Sequence, residues 1–150
     1  MSGKFINKRL LTIVLLVFIN KPSVLLAADV IASPNVQTAS LSLNELRHIF
    51  FMRTQEWPDG TPIKVYALSD NSELHKQFSK EKLGVFPYKL RRLWDRNTFS
   101  GTGQAPVVLD NELDMIKVIS AGKGGIGYVS DKIINNSNQG LFNVLFINVE

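Results

Sequence analysis

Trp57-Pro58-Asp59-Gly60-Thr61-Pro62-Ile63-Lys64-Val65-Tyr66-Ala67-Leu68-Ser69-Asp70-Asn71-Ser72 is the stretch that separates one fold class from the others. Its first half is dense in turn formers: two prolines fix the backbone and an Asp-Gly pair supplies a bend. Ile63 to Leu68 follows without a charge except Lys64, and Val65, Ala67 and Leu68 suit a buried strand. Ser69, Asp70, Asn71 and Ser72 are all residue types that cap helices, and beyond them Leu74, Phe78 and Leu83 recur at helical spacing until Gly84. A turn, a buried strand and a capped helix in immediate succession predict a sheet covered by helices, rather than a helical bundle or a β-sandwich.

The same alternation continues on both sides. Upstream, Val30-Ile31-Ala32 reads as a short strand stopped by Ser33-Pro34-Asn35. Ser42 with Glu45 three residues on forms a capping box, and Leu43, Leu46, Ile49 and Phe50 then mark one face of a helix, with Glu45, Arg47 and His48 toward water. Downstream, Pro87 occupies a favoured first helical position, and Leu90, Leu93 and Trp94 lie on one side of a helix that ends at Ser100-Gly101-Thr102-Gly103. Asp110 is positioned to cap a further helix bearing Leu113, Ile116 and Ile119, which Gly122 closes. Ile126-Gly127-Tyr128-Val129 then predicts a strand, and the apolar run from Phe142 to Val149 a last one. The reading is an α/β domain with a mixed sheet of about five strands under about four helices.

The 150 residues suffice for one domain with its own core. A formal charge of +4 suggests an anionic partner until the charges are placed along the chain. Lys4, Lys8, Arg9 and Lys21 precede the first acidic residue; without them, 13 basic residues face 13 acidic ones from Asp29 onward. Nucleic acid is therefore not an expected partner. Lys4, Lys8 and Arg9 precede an apolar run from Leu10 to Ile19 too short to span a bilayer, and small residues at Ala27 and Ala28 offer a peptidase site. Residues 1–28 are thus predicted to be a cleaved export signal and 29–150 the mature domain, periplasmic or secreted and without a stable membrane span. There is no cysteine, so neither disulfides nor a lipid-modified cysteine are expected.

Four stretches together resemble the phosphate-type family of ABC-transporter substrate-binding proteins, with their type II periplasmic-binding fold. They are Leu41 to Phe50; Trp57 to Ile63; Trp94 with Phe99-Ser100-Gly101-Thr102-Gly103; and Gly125-Ile126-Gly127-Tyr128-Val129. The resemblance implies a single lobe of a binding protein whose relatives close two lobes over an anion. It also implies that the loop after the first long strand holds phosphate through backbone amides. Here that loop reads Leu68-Ser69-Asp70-Asn71-Ser72-Glu73: Asp70 and Ser72 match the family, while the family's arginine is replaced by Leu68 and its glycines and threonine are absent.

Ser69, Asp70, Asn71 and Ser72 are accordingly candidate ligand contacts, the other reading being helix capping. Gly101, Thr102 and Gly103 are either a backbone nest for an oxyanion or a turn requiring positive φ. Arg91, Arg92 and Arg96 suit a guanidinium fork to an anion or a solvated helix face. His48 and His75 are read as surface residues, Trp57 and Trp94 as core. No metal is expected, because the histidines lack ligand spacing and there is no cysteine. No nucleophile stands beside a base, and Gly122-Lys123-Gly124-Gly125-Ile126-Gly127 opens a strand rather than a helix, the reverse of a dinucleotide loop. No enzyme and no cofactor are expected. The function implied is recognition of a small oxyanion such as phosphate; the alternative is a ligand-free interaction or sensor-accessory protein docking on an envelope partner.

Overall fold

The computed structural model describes residues 27–136 and 143–150; the expected leader lies outside them, apart from Ala27 and Ala28. Strand β1 (Ala28–Ala32) and the two-residue β2 (Ser40–Leu41) precede helix α1 (Leu43–Phe50). Then come β3 (Lys64–Leu68), α2 (Glu73–Glu81), α3 (Pro87–Phe99), β4 (Val107–Leu109), α4 (Glu112–Ala121), β5 (Gly125–Ser130), α5 (Asp131–Asn136) and β6 (Leu145–Val149). Among the described residues the strands form one six-stranded sheet in the order β2-β6-β1-β5-β3-β4. It is mixed as expected: β1 runs antiparallel to both β5 and β6, while β3 is parallel to β5 and to β4.

Strand β5 is buried at all six positions, which its composition permits. Gly125 and Gly127 leave room on one face for α4. A Cβ built at Gly127 would lie 2.7 Å from Met115 Sδ and 2.9 Å from Ile119 Cδ1, closer than side chains tolerate. Ser33 Oγ clamps the same corner, donating to the Ile119 carbonyl at 2.8 Å and accepting from the Gly125 amide at 3.0 Å. The other face of β5 carries Tyr128 into an aromatic layer. Phe78 of α2 stacks on Tyr128 with ring centroids 4.0 Å apart, and Phe50 of α1 meets Phe78 edge-on at 4.9 Å. Trp94 of α3 is 1% exposed and donates its indole N–H to the Phe50 carbonyl at 2.7 Å, so its polar atom is satisfied inside the core. Helices therefore cover both faces of the sheet.

Caps explain where the helices begin. Ser42 and Glu45 form the reciprocal capping box of α1, Ser72 accepts from the His75 amide to start α2, and Pro87 opens α3. Helix α4 is capped by Asn111 rather than Asp110: Asn111 Oδ1 accepts from the Asp114 amide at 2.9 Å. Its buried face also differs from the expected one, holding Met115 with Ile116 and Ile119 while Leu113 is 47% exposed. Arg47 is half-buried instead of facing water, its Nε donating to the Lys82 carbonyl at 3.3 Å. The short strands β2 and β4 and helix α5 are additions to the sequence reading, too brief for any periodicity to show. The closing strand begins at Leu145; Phe142, where it was expected to start, lies outside the described residues. No helix among the described residues is long and apolar enough to cross a membrane.

Candidate functional site

Parallel strands β4, β3 and β5 end side by side, and helices α4, α2 and α5 begin there. The crevice outside the carboxyl ends of such strands is where open α/β sheets take ligands, because loops and free helix amides converge on it. Ser69 to Ser72 leave β3 at this end. Ser69 Oγ accepts from the Asn71 amide at 3.4 Å, its carbonyl accepts from the Ser72 amide at 2.9 Å, and Ser72 Oγ receives the His75 amide. Ser72 is thus a cap, Ser69 shapes the turn, and Asn71 is exposed.

Asp70 is held by α3. Arg91 Nη2 and Nε donate to its two carboxylate oxygens at 2.7 and 3.1 Å, a bidentate fork. The guanidinium holds the Asp70 carboxyl below its ordinary range, chiefly through these hydrogen bonds, and the carboxylate in turn raises Arg91. Arg91 also lies over the Trp94 ring, Cζ 5.1 Å from its centroid, which fixes the plane of the fork. Of the three arginines weighed from sequence, Arg91 is therefore a fork, and its partner is the chain's own aspartate; Arg92 and Arg96 are exposed.

His75 is not a surface residue. It is 1% exposed, beneath the Asp70 loop, with Nδ1 2.5 Å from Tyr128 Oη and Nε2 3.7 Å from Asp70 Oδ1 and 3.5 Å from Ser79 Oγ. Burial lowers its pKa, the Asp70 charge opposing, so the ring is neutral. Tyr128 Oη accepts from the Leu68 amide at 2.9 Å and donates its O–H to Nδ1 of the neutral ring. This leaves the His75 proton on Nε2, toward Ser79 and Asp70. Burial pushes the Tyr128 phenol well above its usual value, so it remains a donor. The chain of contacts from Leu68 through Tyr128, His75 and Asp70 to Arg91 anchors the candidate loop to the core.

At the neighbouring strand end a carboxylate already occupies a pair of donors. Glu112 Oε2 accepts from both the amide and the hydroxyl of Ser130, at 2.6 and 2.8 Å. Asp131 follows Ser130 in the chain, and the Asp29 carboxyl is raised by burial first and by Asp131 second. Neither Glu112 nor Ser130 was singled out from sequence. Their meeting depends on α4 beginning beside the end of β5, which only the topology reveals.

Gly101, Thr102 and Gly103 lie at the opposite end of the strands. They precede β4, which starts alongside Tyr66, and Gln55 Nε2 donates to the Thr102 carbonyl at 2.7 Å. Gly101 has φ +71°, and the amides of Gly101 and Thr102 donate to the Thr98 and Asn97 carbonyls at the end of α3. A Cβ at Gly103 would lie 2.8 Å from Met52 Sδ. Strand β3, about 13 Å from first to last residue, separates this loop from Ser69 to Ser72. The two sets of candidate residues are not brought together. A groove of about 450 Å³ adjoins the glycine loop, lined by Met52, Gln55, Ile63, Val65, Tyr66 and Val107 among others.

A mixed sheet with helices on both faces and polar loops at its strand ends is similar in fold to one lobe of a periplasmic binding protein. Solved structures similar to it include phosphate ABC-transporter substrate-binding proteins. PstS from Borrelia burgdorferi superposes with a TM-score of 0.63 at 15% identity, over 83% of this chain and 47% of that one. A phosphate transport receptor from Vibrio cholerae gives 0.62 at 13% identity over 83% and 47%. A substrate-binding protein with bound phosphate from Clostridium perfringens gives 0.60 at 17% identity over 82% and 46%. The chain spans under half the length of these structures, and at such identities the likeness is one of fold. No protein-family model and no curated protein sequence matches the chain.

Proposed function

We propose that this chain is a non-enzymatic, extracytoplasmic recognition module that takes a small oxyanion of the phosphate class at the carboxyl ends of β3, β4 and β5. The observation that carries this reading is the placement of Ser69 to Ser72. A polar loop at a strand end opens directly into the first turn of α2, with the half-exposed guanidinium of Arg91 anchored beside it. First-turn amides and a fixed cation are the donors an oxyanion requires. Gly101, Thr102 and Gly103, at the far end of the strands with two of their amides already engaged, serve the turn after α3 and not this ligand. No chemistry is assigned to His75, since its ring is closed off from solvent and its Nδ1 is engaged by Tyr128. Export through residues 1–28 belongs to the same reading, and a protein recovered outside the cytoplasm with its N-terminus at Ala28 or Asp29 is the expected product.

The test is a thermal melt with phosphate, sulfate and chloride at matched ionic strength. Binding stabilises by mass action, about 2.7 kcal/mol at a hundredfold excess over Kd. The melting temperature should rise with phosphate or sulfate and not with chloride, and Ser72→Ala with Arg91→Gln should abolish the rise. No rise with either oxyanion at millimolar concentration removes the oxyanion reading.

Two observations favour a second reading, a ligand-free accessory protein that docks on an envelope partner. Glu112 already fills the donors of Ser130, and Glu73 stands at the start of α2, both unfavourable to an incoming anion. Capture of one defined envelope protein by the immobilised chain, released by Glu112→Gln and insensitive to phosphate, would support it.

A further inference from the structure

Helix α3 buries Leu90 and Trp94, and among the described residues its opposite side has no neighbouring element. At about 100° per residue, Tyr88, Arg92, Asp95 and Phe99 fall along that outer line. Its aromatic residues are large and in the open: Phe86 at the cap is 50% exposed, Tyr88 55% and Phe99 91%. Phe86 and Tyr88 stack with centroids 5.9 Å apart and planes 20° from parallel. A cation sits against each ring, Lys80 Nζ 5.5 Å from Phe86 and Arg92 Cζ 5.9 Å from Tyr88. Exposed Lys89 and Arg96 flank the line. Asp95 lies on the face and Glu81 next to Lys80 in sequence, so four cations outweigh two carboxylates. Residues 29–150 as a whole hold equal numbers of basic and acidic residues, so this excess makes a local positive surface.

We propose that the outer face of α3 is a docking surface for an anionic lipid bilayer, with the helix lying parallel to the membrane plane. Tyr88 and Phe99 are about 16 Å apart along the axis, so both ends of the helix reach a flat surface together. Rings paired with cations match the headgroup zone: the ring enters the boundary with the acyl chains while the ammonium or guanidinium stays at the phosphates. A protein partner of acidic character calls for a different layout, with the aromatics gathered at the centre of a patch rather than spaced along a convex helix.

The chain contains no cysteine, so a Thr98→Cys variant labelled with an environment-sensitive fluorophore reports on this face alone, and a Lys123→Cys variant serves as a control. Each is mixed, as the full chain, with phosphatidylglycerol vesicles, phosphatidylcholine vesicles or polyglutamate. The expected result is a blue shift at position 98 with phosphatidylglycerol, absent with phosphatidylcholine and absent at position 123. The shift should require more than about tenfold higher lipid after Arg92→Glu with Arg96→Glu, two exposed changes that leave the core intact. Tyr88→Ser with Phe99→Ser should weaken it as well, and salt should reverse it. No shift at position 98, an equal shift at position 123, or a shift with polyglutamate but not with vesicles overturns the proposal, the last in favour of an acidic polypeptide.

Discussion

Tyr128 ties the end of β3 and helix α2 to β5. Its hydroxyl closes the Leu68 amide at the end of β3 and meets Nδ1 of His75, while its ring stacks on Phe78. Tyr128→Phe keeps the ring and orphans both partners, and an unsatisfied buried group costs about 1–3 kcal/mol, so urea denaturation should show a loss of that size. His75 adds a pH dependence whose sign follows from its burial. Its folded pKa is depressed below the unfolded value of about 6.5, so the unfolded chain takes up the proton first. The contribution is complete above pH about 6.5 and is lost as the pH falls from there toward the folded pKa. Asp70, also depressed, adds a second loss at lower pH, below the unfolded carboxylate value near 4. Stability measured from pH 7 to pH 5 should fall in the native protein and fall less in His75→Gln. An equal slope in both would assign the effect elsewhere. None of this was legible in the sequence, where a lone histidine on a polar-looking helix reads as exposed. It takes the crossing of α2 over β5 to show that His75 faces Tyr128.

At the scale of the elements, local signals located most caps and breaks, the start of α4 being one residue off, at Asn111 instead of Asp110. The Ser42–Glu45 box, Pro87 and the positive φ of Gly101 all stand where the residue types place them, because each satisfies a backbone requirement within three or four residues. Loss of a cap should therefore cost a predictable amount: Ser72→Ala removes the acceptor of the His75 amide and should destabilise by about 1 kcal/mol in a thermal or urea melt. Periodicity was less dependable. On α4 it placed Leu113 inward, whereas Met115 is buried, since the glycines of β5 bring the helix close enough for the flexible thioether to fill the space. Gly127→Ala should consequently overpack that contact and cost about 1–3 kcal/mol, with a smaller loss when Met115 is shortened to Ala in the same chain. Strands of two or three residues such as β2 and β4 left no trace in the pattern, being fixed by their partners rather than by their own composition.

For the molecule as a whole, the alternation of strands and helices sufficed to predict a helix-covered mixed sheet, and the structure has that form. What the pattern did not give was the strand order, and the site depends on it. With β5 beside β3 and β3 beside β4, the Ser69 to Ser72 loop shares one end of the sheet with Ser130 and Glu112, while Gly101 to Gly103 fall at the other. Two loops that read as equivalent oxyanion candidates thus part company. The end that holds Ser69 to Ser72 mixes donors with carboxylates, and whether an anion binds there is the decisive question for the proposed function. Amide chemical shifts, followed during a phosphate titration, answer it at residue resolution. The account predicts saturable shifts at Asn71 to Leu74 and at the Arg91 side chain, with Gly101 to Gly103 unmoved. Shifts confined to the glycine loop, or none at all, would contradict it.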